Sequence, residues 1–164
     1  MQLCESVLEN YFDQLENLKI NMNILESCIP FPDIKIINLG SSCIYPKFAS
    51  QPIQEEELLN GALEETNQWY AIAKIAGVRL CEALNTQYGF DSLCLMPSNL
   101  YGQGDNYHYK DSHVIPGLIR RFHDCKINNS STVNVWGSGK PRREFLFVDD
   151  LAKAVLCSFK LFSI

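Results

Sequence analysis

In the segment YAIAK a phenol, Tyr70, precedes an ammonium, Lys74, by four residues. Positions i and i+4 of a helix share a face, so the cation stands where it favours the phenolate of a group whose unperturbed pKa is about 10. A tyrosine needs such help to exchange a proton at neutral pH. Some thirty residues earlier, GSSC at 40–43 places two hydroxyls and a thiol at the end of an apolar run, and Ser41 or Ser42 is positioned to hold a substrate carbonyl in line. About 25 residues after the tyrosine comes PSNLYG, a polar cluster that closes a second apolar run. A tyrosine and lysine at this spacing occur by chance in many chains. Flanked by these two clusters, they point to acid–base chemistry at a carbonyl.

Positioning such groups requires a particular order of elements. From Tyr11 to Cys28, Phe12, Leu15, Leu18, Ile20, Met22, Ile24 and Leu25 recur mostly at intervals of three or four, which predicts an amphipathic helix that covers one face of a sheet and ends before Pro30. IKIINLG, 34–40, reads as a strand buried on both faces. Residues 46–67 are too polar for core and read as a surface loop with a short helical turn. A helix over 67–85 follows, with Gly77 permitting close packing. SLCLMPSNLYG, 92–102, is a second strand stopped by Pro97, and Val114 to Cys125 is a helix that tolerates Pro116 in its first turn. TVNVWG, 132–137, reads as a short strand, SGKPRRE as a loop with three cations, and FLFVDDLAKAVLCSF as a strand and then a helix capped by Asp149 or Asp150. Alternating helices and strands predict an α/β fold with a parallel sheet, and ligands of such sheets gather beyond the carboxyl ends of the strands. GSSC and PSNLYG both fall there.

The 164 residues suffice for one core, as one domain or a piece of a larger one. A net charge of −5 and a pI of about 5.2 supply no basic face for nucleic acid, though a small anionic substrate needs only a few placed cations. Seven cysteines without C-x-x-C spacing predict free thiols in a reducing compartment and no metal site. The first ten residues lack the basic and apolar regions of a signal peptide, and no apolar run is long enough for a membrane span, so the expectation is a soluble cytoplasmic protein.

The segments LGSSCIYP, YAIAKIAG, MPSNLYG, DSHVIPGLIRRFH and VWGSGKPRREFLFVDDLA, in that order, resemble the extended short-chain dehydrogenase/reductases of the NAD-dependent epimerase/dehydratase family. The resemblance runs from about Tyr11 to the end. The cysteine of GSSC together with SHVIP is similar to members that act on GDP-4-keto-6-deoxy-mannose, epimerising C3 and C5 and reducing the 4-ketone with NADPH. It implies NADP(H) as cofactor, that GDP-sugar as substrate and a homodimer of the intact enzyme. The implied fold is a partial Rossmann-like doubly wound sheet with the beginning of a smaller substrate-binding lobe, at about 103–143.

Epimerisation beside a ketone needs a base to remove an acidic C–H proton and an acid to return one on the opposite face. The resemblance carries these roles on Cys43 and His113, and a thiol of unperturbed pKa about 8.5 suits them. For reduction it implies Tyr70 as proton donor to the alkoxide, Lys74 on the nicotinamide ribose and lowering the tyrosine pKa, and Ser41 on the carbonyl oxygen. Pro97, Asn99, Leu100 and His113 would border the nicotinamide. Arg121, Trp136 and Arg143 would meet the GDP-sugar, since diphosphate favours guanidinium donors.

Taken singly, these residues also have plainer readings. Cys43 could be a buried small hydrophobe, His113 a cap of the Val114 helix and Trp136 core. His108, His123, Arg120, Lys140 and Arg142 read as solvated or surface groups. The family's G-x-x-G-x-x-G turn, which receives the cofactor pyrophosphate, does not occur: all nine glycines lie at 40 or later. The expectation is a chain shortened at both ends, which binds NADPH weakly or not at all by itself. Two other functions compete: a different nucleotide-sugar epimerase or dehydratase, and a non-catalytic binding partner of a full-length enzyme.

Overall fold

A computed structural model describes the backbone of residues 2–161. They divide into two compact units, residues 2–97 and 98–161. The first contains helix α1 (Gln2–Cys28), strand β1 (Lys35–Leu39), two single 3-10 turns (Ser42–Ile44 and Glu55–Glu57), helix α2 (Gln68–Tyr88) and strand β2 (Asp91–Leu95). The second holds strand β3 (Asn99–Tyr101), helix α3 (Val114–Ile127), strand β4 (Phe145–Phe147) and helix α4 (Val148–Leu161).

In the first unit β1 and β2 pair in parallel, Lys35 opposite Asp91 through Leu39 opposite Leu95, and a Lys35–Asp91 ion pair at 3.1 Å marks the start of the register. The parallel ladder continues past the strands. Gly40 N–H donates to Leu95 O at 2.8 Å and Ser42 N–H to Pro97 O at 3.3 Å, so GSSC is held against the end of β2 by main-chain bonds. Helix α2 packs on this pair: Cys81 and Leu84 join Leu25, Ile36 and Phe90 in one apolar cluster, while Ile75 and Val78 enclose Ile44 in another. Ile44, fully buried, pins the 3-10 turn after β1 to α2. Burying such a side chain is worth about 1.5–3 kcal/mol, which favours one position of the turn over its alternatives.

Helix α1 packs along α2. At Gly77 a Cβ would lie 2.9 Å from the Asn21 side chain, so the helices approach at a residue that has none. Leu25 enters the cluster with Ile36, whereas Tyr11, Phe12, Ile20, Met22 and Ile24 are more than half exposed. Among the described residues, α1 reaches this cluster near its C-terminal end, through Leu25 and Cys28. Helix α2 runs beyond the expected Asn85 to Tyr88 and stops at Gly89, whose φ of 69° is left-handed and whose N–H returns to Asn85 O at 3.0 Å.

The second unit is organised by a second parallel pair, β3 with β4, Asn99 opposite Phe145. The apolar run 92–102 thus becomes two strands in two sheets, because Pro97 cannot donate to a ladder. Residues 132–137, expected as a strand, pair with no strand among the described residues. Val135 and Trp136 are both more than half exposed, so burial does not pull this segment into a sheet. Helix α4 begins directly after β4, at Val148, which puts Asp149 and Asp150 inside its first turn and not at the cap. There they face the positive end of the helix dipole.

Candidate functional site

Four of the expected groups converge in the first unit. Ser41, in extended backbone, stands at the start of the first 3-10 turn, and its Oγ accepts Cys43 N–H at 3.4 Å and Cys43 S–H at 3.1 Å. The phenol of Tyr70, in the first turn of α2, lies near enough to this hydroxyl for Ser41 to lower its pKa. Lys74, one turn further along, donates from Nζ to Leu39 O at 3.0 Å and lies 5.6 Å from the centre of the Tyr70 ring. Of the two serines, then, Ser41 meets the thiol, while Ser42 is exposed and is bound through its N–H to Pro97 O. Pro97 comes to the same rim by that bond.

The electrostatics differ from the expectation in one respect. Tyr70 is raised above the ordinary value of 10.0, first by burial and then by the negative charge of the Cys43 thiolate, with the Ser41 hydrogen bond opposing. Lys74 does not hold the phenol low. Its ammonium is drawn to the Leu39 carbonyl and lies over the ring. The site thus keeps Tyr70 in its protonated form across the neutral range, as a proton donor requires.

The other expected residues belong to the second unit. His113 occupies the N-cap position of α3 with no side-chain capping bond, so its exposed imidazole is not spent on the helix end. Asn99 is exposed, with its amide donating to Glu144 O at 2.9 Å, and Leu100, half-buried, pairs with Leu146. Arg121 and Trp136 meet: the guanidinium carbon lies 3.7 Å from the indole ring centre. The indole is 56% exposed, which excludes the reading of Trp136 as core. Arg143 donates to Arg142 O at 2.8 Å, and no hydrogen bond, ion pair or ring contact joins it to Arg121 or Trp136 among the described residues. Arg120 is paired with Asp124 at 2.8 Å, as a surface group would be.

Two features lay beyond the sequence reading. Tyr109 also stands against Arg121, which nothing in the local pattern signals. Cys81 and Cys94 lie close together at the α2–β2 interface, where Asn38 Nδ2 donates to Cys94 Sγ at 3.9 Å and Ser92 Oγ to Cys81 O at 3.3 Å. Their interaction lowers the pKa of Cys81 and raises that of Cys94. Among the described residues no group of His, Cys, Asp and Glu could hold a metal ion, and no helix is long and apolar enough to cross a membrane.

Residues 6–161 match the model of the NAD dependent epimerase/dehydratase family. The chain is 56% identical over 141 residues to the probable GDP-L-fucose synthase 1 of Oryza sativa subsp. japonica, covering 85% of this chain and 43% of that protein. It is 56% identical over 139 residues to the GDP-L-fucose synthase of Escherichia coli strain K12, again covering 85% of this chain and 43% of the relative. Among solved structures, a GDP-L-fucose synthetase from Naegleria fowleri bound to NADP superimposes with a TM-score of 0.80 at 33% identity, covering 92% of this chain and 49% of that one. The chain therefore spans less than half the length of each of these relatives.

Proposed function

The chain belongs to the NAD dependent epimerase/dehydratase family, and from that membership we propose that its residues serve a GDP-L-fucose synthase reaction: 3,5-epimerisation and NADPH-dependent 4-reduction of GDP-4-keto-6-deoxy-mannose. The observation that carries this reading is the convergence of Cys43, Tyr70 and Lys74 about Ser41, at the carboxyl end of a parallel strand pair.

In the epimerisation half, the Cys43 thiolate takes a C–H proton next to the ketone, and the electron pair moves onto the carbonyl oxygen as an enolate. The His113 imidazolium returns a proton to the carbon from the opposite face, which inverts the centre. Ser41 donates a hydrogen bond to the carbonyl oxygen, where the charge develops. In the reduction half, Tyr70 gives its proton to the oxygen of C4 as that carbon becomes sp³, and its raised pKa keeps the proton available.

The residues present fit the nicotinamide and ribose end of NADP(H). Lys74 has one N–H on Leu39 O and two more for ribose hydroxyls, the Tyr70 phenol is one turn away, and Pro97 sits at the same rim. When bound, the cofactor supplies the hydride for C4. On this reading Asn99, Leu100 and His113 bind the nicotinamide, Arg121, Trp136 and Arg143 hold the nucleotide diphosphate, and the intact enzyme is a homodimer in the cytoplasm.

The test is solvent deuterium exchange into C3 and C5 of GDP-4-keto-6-deoxy-mannose, followed by NMR in the presence of the chain. Exchange that depends on Cys43, with none into a UDP-4-keto sugar, is the expected result. Equal exchange with both sugars points to a different nucleotide-sugar epimerase, and none with either sinks the catalytic reading of these residues.

A further inference from the structure

Tyr109 has no part in the roles above, yet it stands against the guanidinium that would meet the nucleotide. The Cζ of Arg121 lies 3.7 Å from the ring centre of Trp136 and 6.0 Å from that of Tyr109. The two rings meet edge to face, their centres 6.2 Å apart and their planes at 89°. Both are more than half exposed, so hydrophobic burial does not account for their arrangement. The adjacent arginine provides the contrast. Arg120 is neutralised by Asp124, while Arg121 has no carboxylate within salt-bridge distance among the described residues, and its buried Nε has no hydrogen-bond partner. Arg121 is thus held by rings and not by acceptors. Beside it opens a cavity of about 410 Å³, bordered by Tyr109, Arg121, Asn128, Ser130, Asn134 and Asp124, whose carboxylate is paired with Arg120.

We propose that Tyr109 is a positioning residue for Arg121: its ring and the Trp136 indole fix the guanidinium at the rim of this cavity, ready to donate to a diphosphate. The inference rests on the nucleotide-sugar reading, which supplies that diphosphate. A free arginine loses much rotamer freedom when it binds an oxyanion, and one already held loses less. Ring faces attract a guanidinium without consuming its N–H donors, so the cation is immobilised with its donors unspent. A carboxylate in the place of Tyr109 would immobilise it equally well and occupy the donors.

The test is calorimetric titration of the 164-residue chain with inorganic pyrophosphate and with GDP. The variants are Tyr109→Ala, Tyr109→Phe, Arg121→Gln and the double variant Tyr109→Ala with Arg121→Gln. Tyr109→Ala is expected to weaken both ligands about 5- to 10-fold, a loss in the range of a cation–ring contact. Tyr109→Phe stays within about twofold of the parent, because the ring makes the contact and the hydroxyl does not. In the Arg121→Gln background Tyr109→Ala adds nothing, since the tyrosine acts through the arginine; a merely structural role would give the same loss in both backgrounds. Tyr109 is 52% exposed, so its truncation removes no core, and Tyr109→Leu serves as a second variant should the alanine form misfold. Unchanged affinity in Tyr109→Ala, additive losses, or a parent chain that binds neither ligand overturns the inference. Pyrophosphate binding with the expected coupling but without GDP binding upholds the clamp and removes the GDP-sugar reading. GDP binding lost in Arg121→Gln alone does the reverse.

Discussion

The hydroxyl of Ser41 accepts the S–H of Cys43 at 3.1 Å, and the same side chain opposes the rise of the Tyr70 pKa, so one serine acts on the two groups assigned to the two halves of the proposed reaction. The link is built by the backbone. Ser41 is held between the ladder bonds of Gly40 and Ser42 to the β2 end, and the buried Ile44 locks the turn that follows. A hydroxyl there can accept from a thiol and donate to an oxygen at once, as a carbonyl-orienting group beside a proton donor must.

Replacing each serine separately tests which of them matters. Ser41→Ala is expected to lower turnover of the reduction about 100-fold, the usual loss when a donor to a developing oxyanion is removed. Ser42→Ala is expected to stay within about twofold, because its exposed side chain leaves the main-chain bond to Pro97 intact. Steady-state rates of NADPH oxidation decide between them, and equal losses would mean that the pair acts only through the turn.

Cys43→Ser should separate the half-reactions. A hydroxyl is a far poorer base than a thiol at neutral pH, so exchange of the sugar C–H protons with solvent slows by about two orders of magnitude or more, within the range of general base catalysis. Hydride transfer to a pre-epimerised 4-keto sugar keeps most of its rate. Comparable loss in both measurements would count against the base role of Cys43.

The pH behaviour of Tyr70 has a definite sign. Its folded-state pKa is raised above 10.0, so the folded chain holds this proton more tightly than the unfolded chain. The associated stability is present in full below pH 10 and is lost as the pH climbs through the folded value. Cys43→Ser removes the thiolate charge and should bring the phenol down, whereas Ser41→Ala removes the opposing hydrogen bond and should send it further up. Ultraviolet difference titration against Tyr70→Phe reads both shifts, and movement in the same direction for the two variants would contradict this account.

Gly77→Ala should destabilise the α1–α2 contact. The added methyl meets the Asn21 side chain at 2.9 Å, and overpacking of this kind costs about 1–3 kcal/mol, against which the gain in helix propensity sets about 1 kcal/mol. Asn21→Ala in the same chain should recover most of the loss. Urea denaturation of the single and double variants gives the coupling directly, and additive effects would show that the helices do not meet at this pair.

Much of this was legible in the primary structure. The isoleucine-rich run before GSSC became β1, the stripe around YAIAK became α2, and FLF followed by VDDLAKA became β4 and α4. Each is decided by periodicity and by breakers within a few residues. Residues 132–137 misled because alternation alone does not supply a ladder partner, and Asp149 and Asp150 because a strand can pass straight into a helix with no separate cap.

Residue types and short spacings were enough for most of the elements, for the family and for the side chains available for chemistry. Packing in three dimensions is what sets Ser41 and not Ser42 against the thiol, turns Lys74 to Leu39 O, keeps Tyr70 protonated and puts Tyr109 behind Arg121. These are matters of through-space distance and burial. Groups some thirty residues apart in the chain set each other's ionisation and orientation within a few ångströms, a relation that no local pattern encodes.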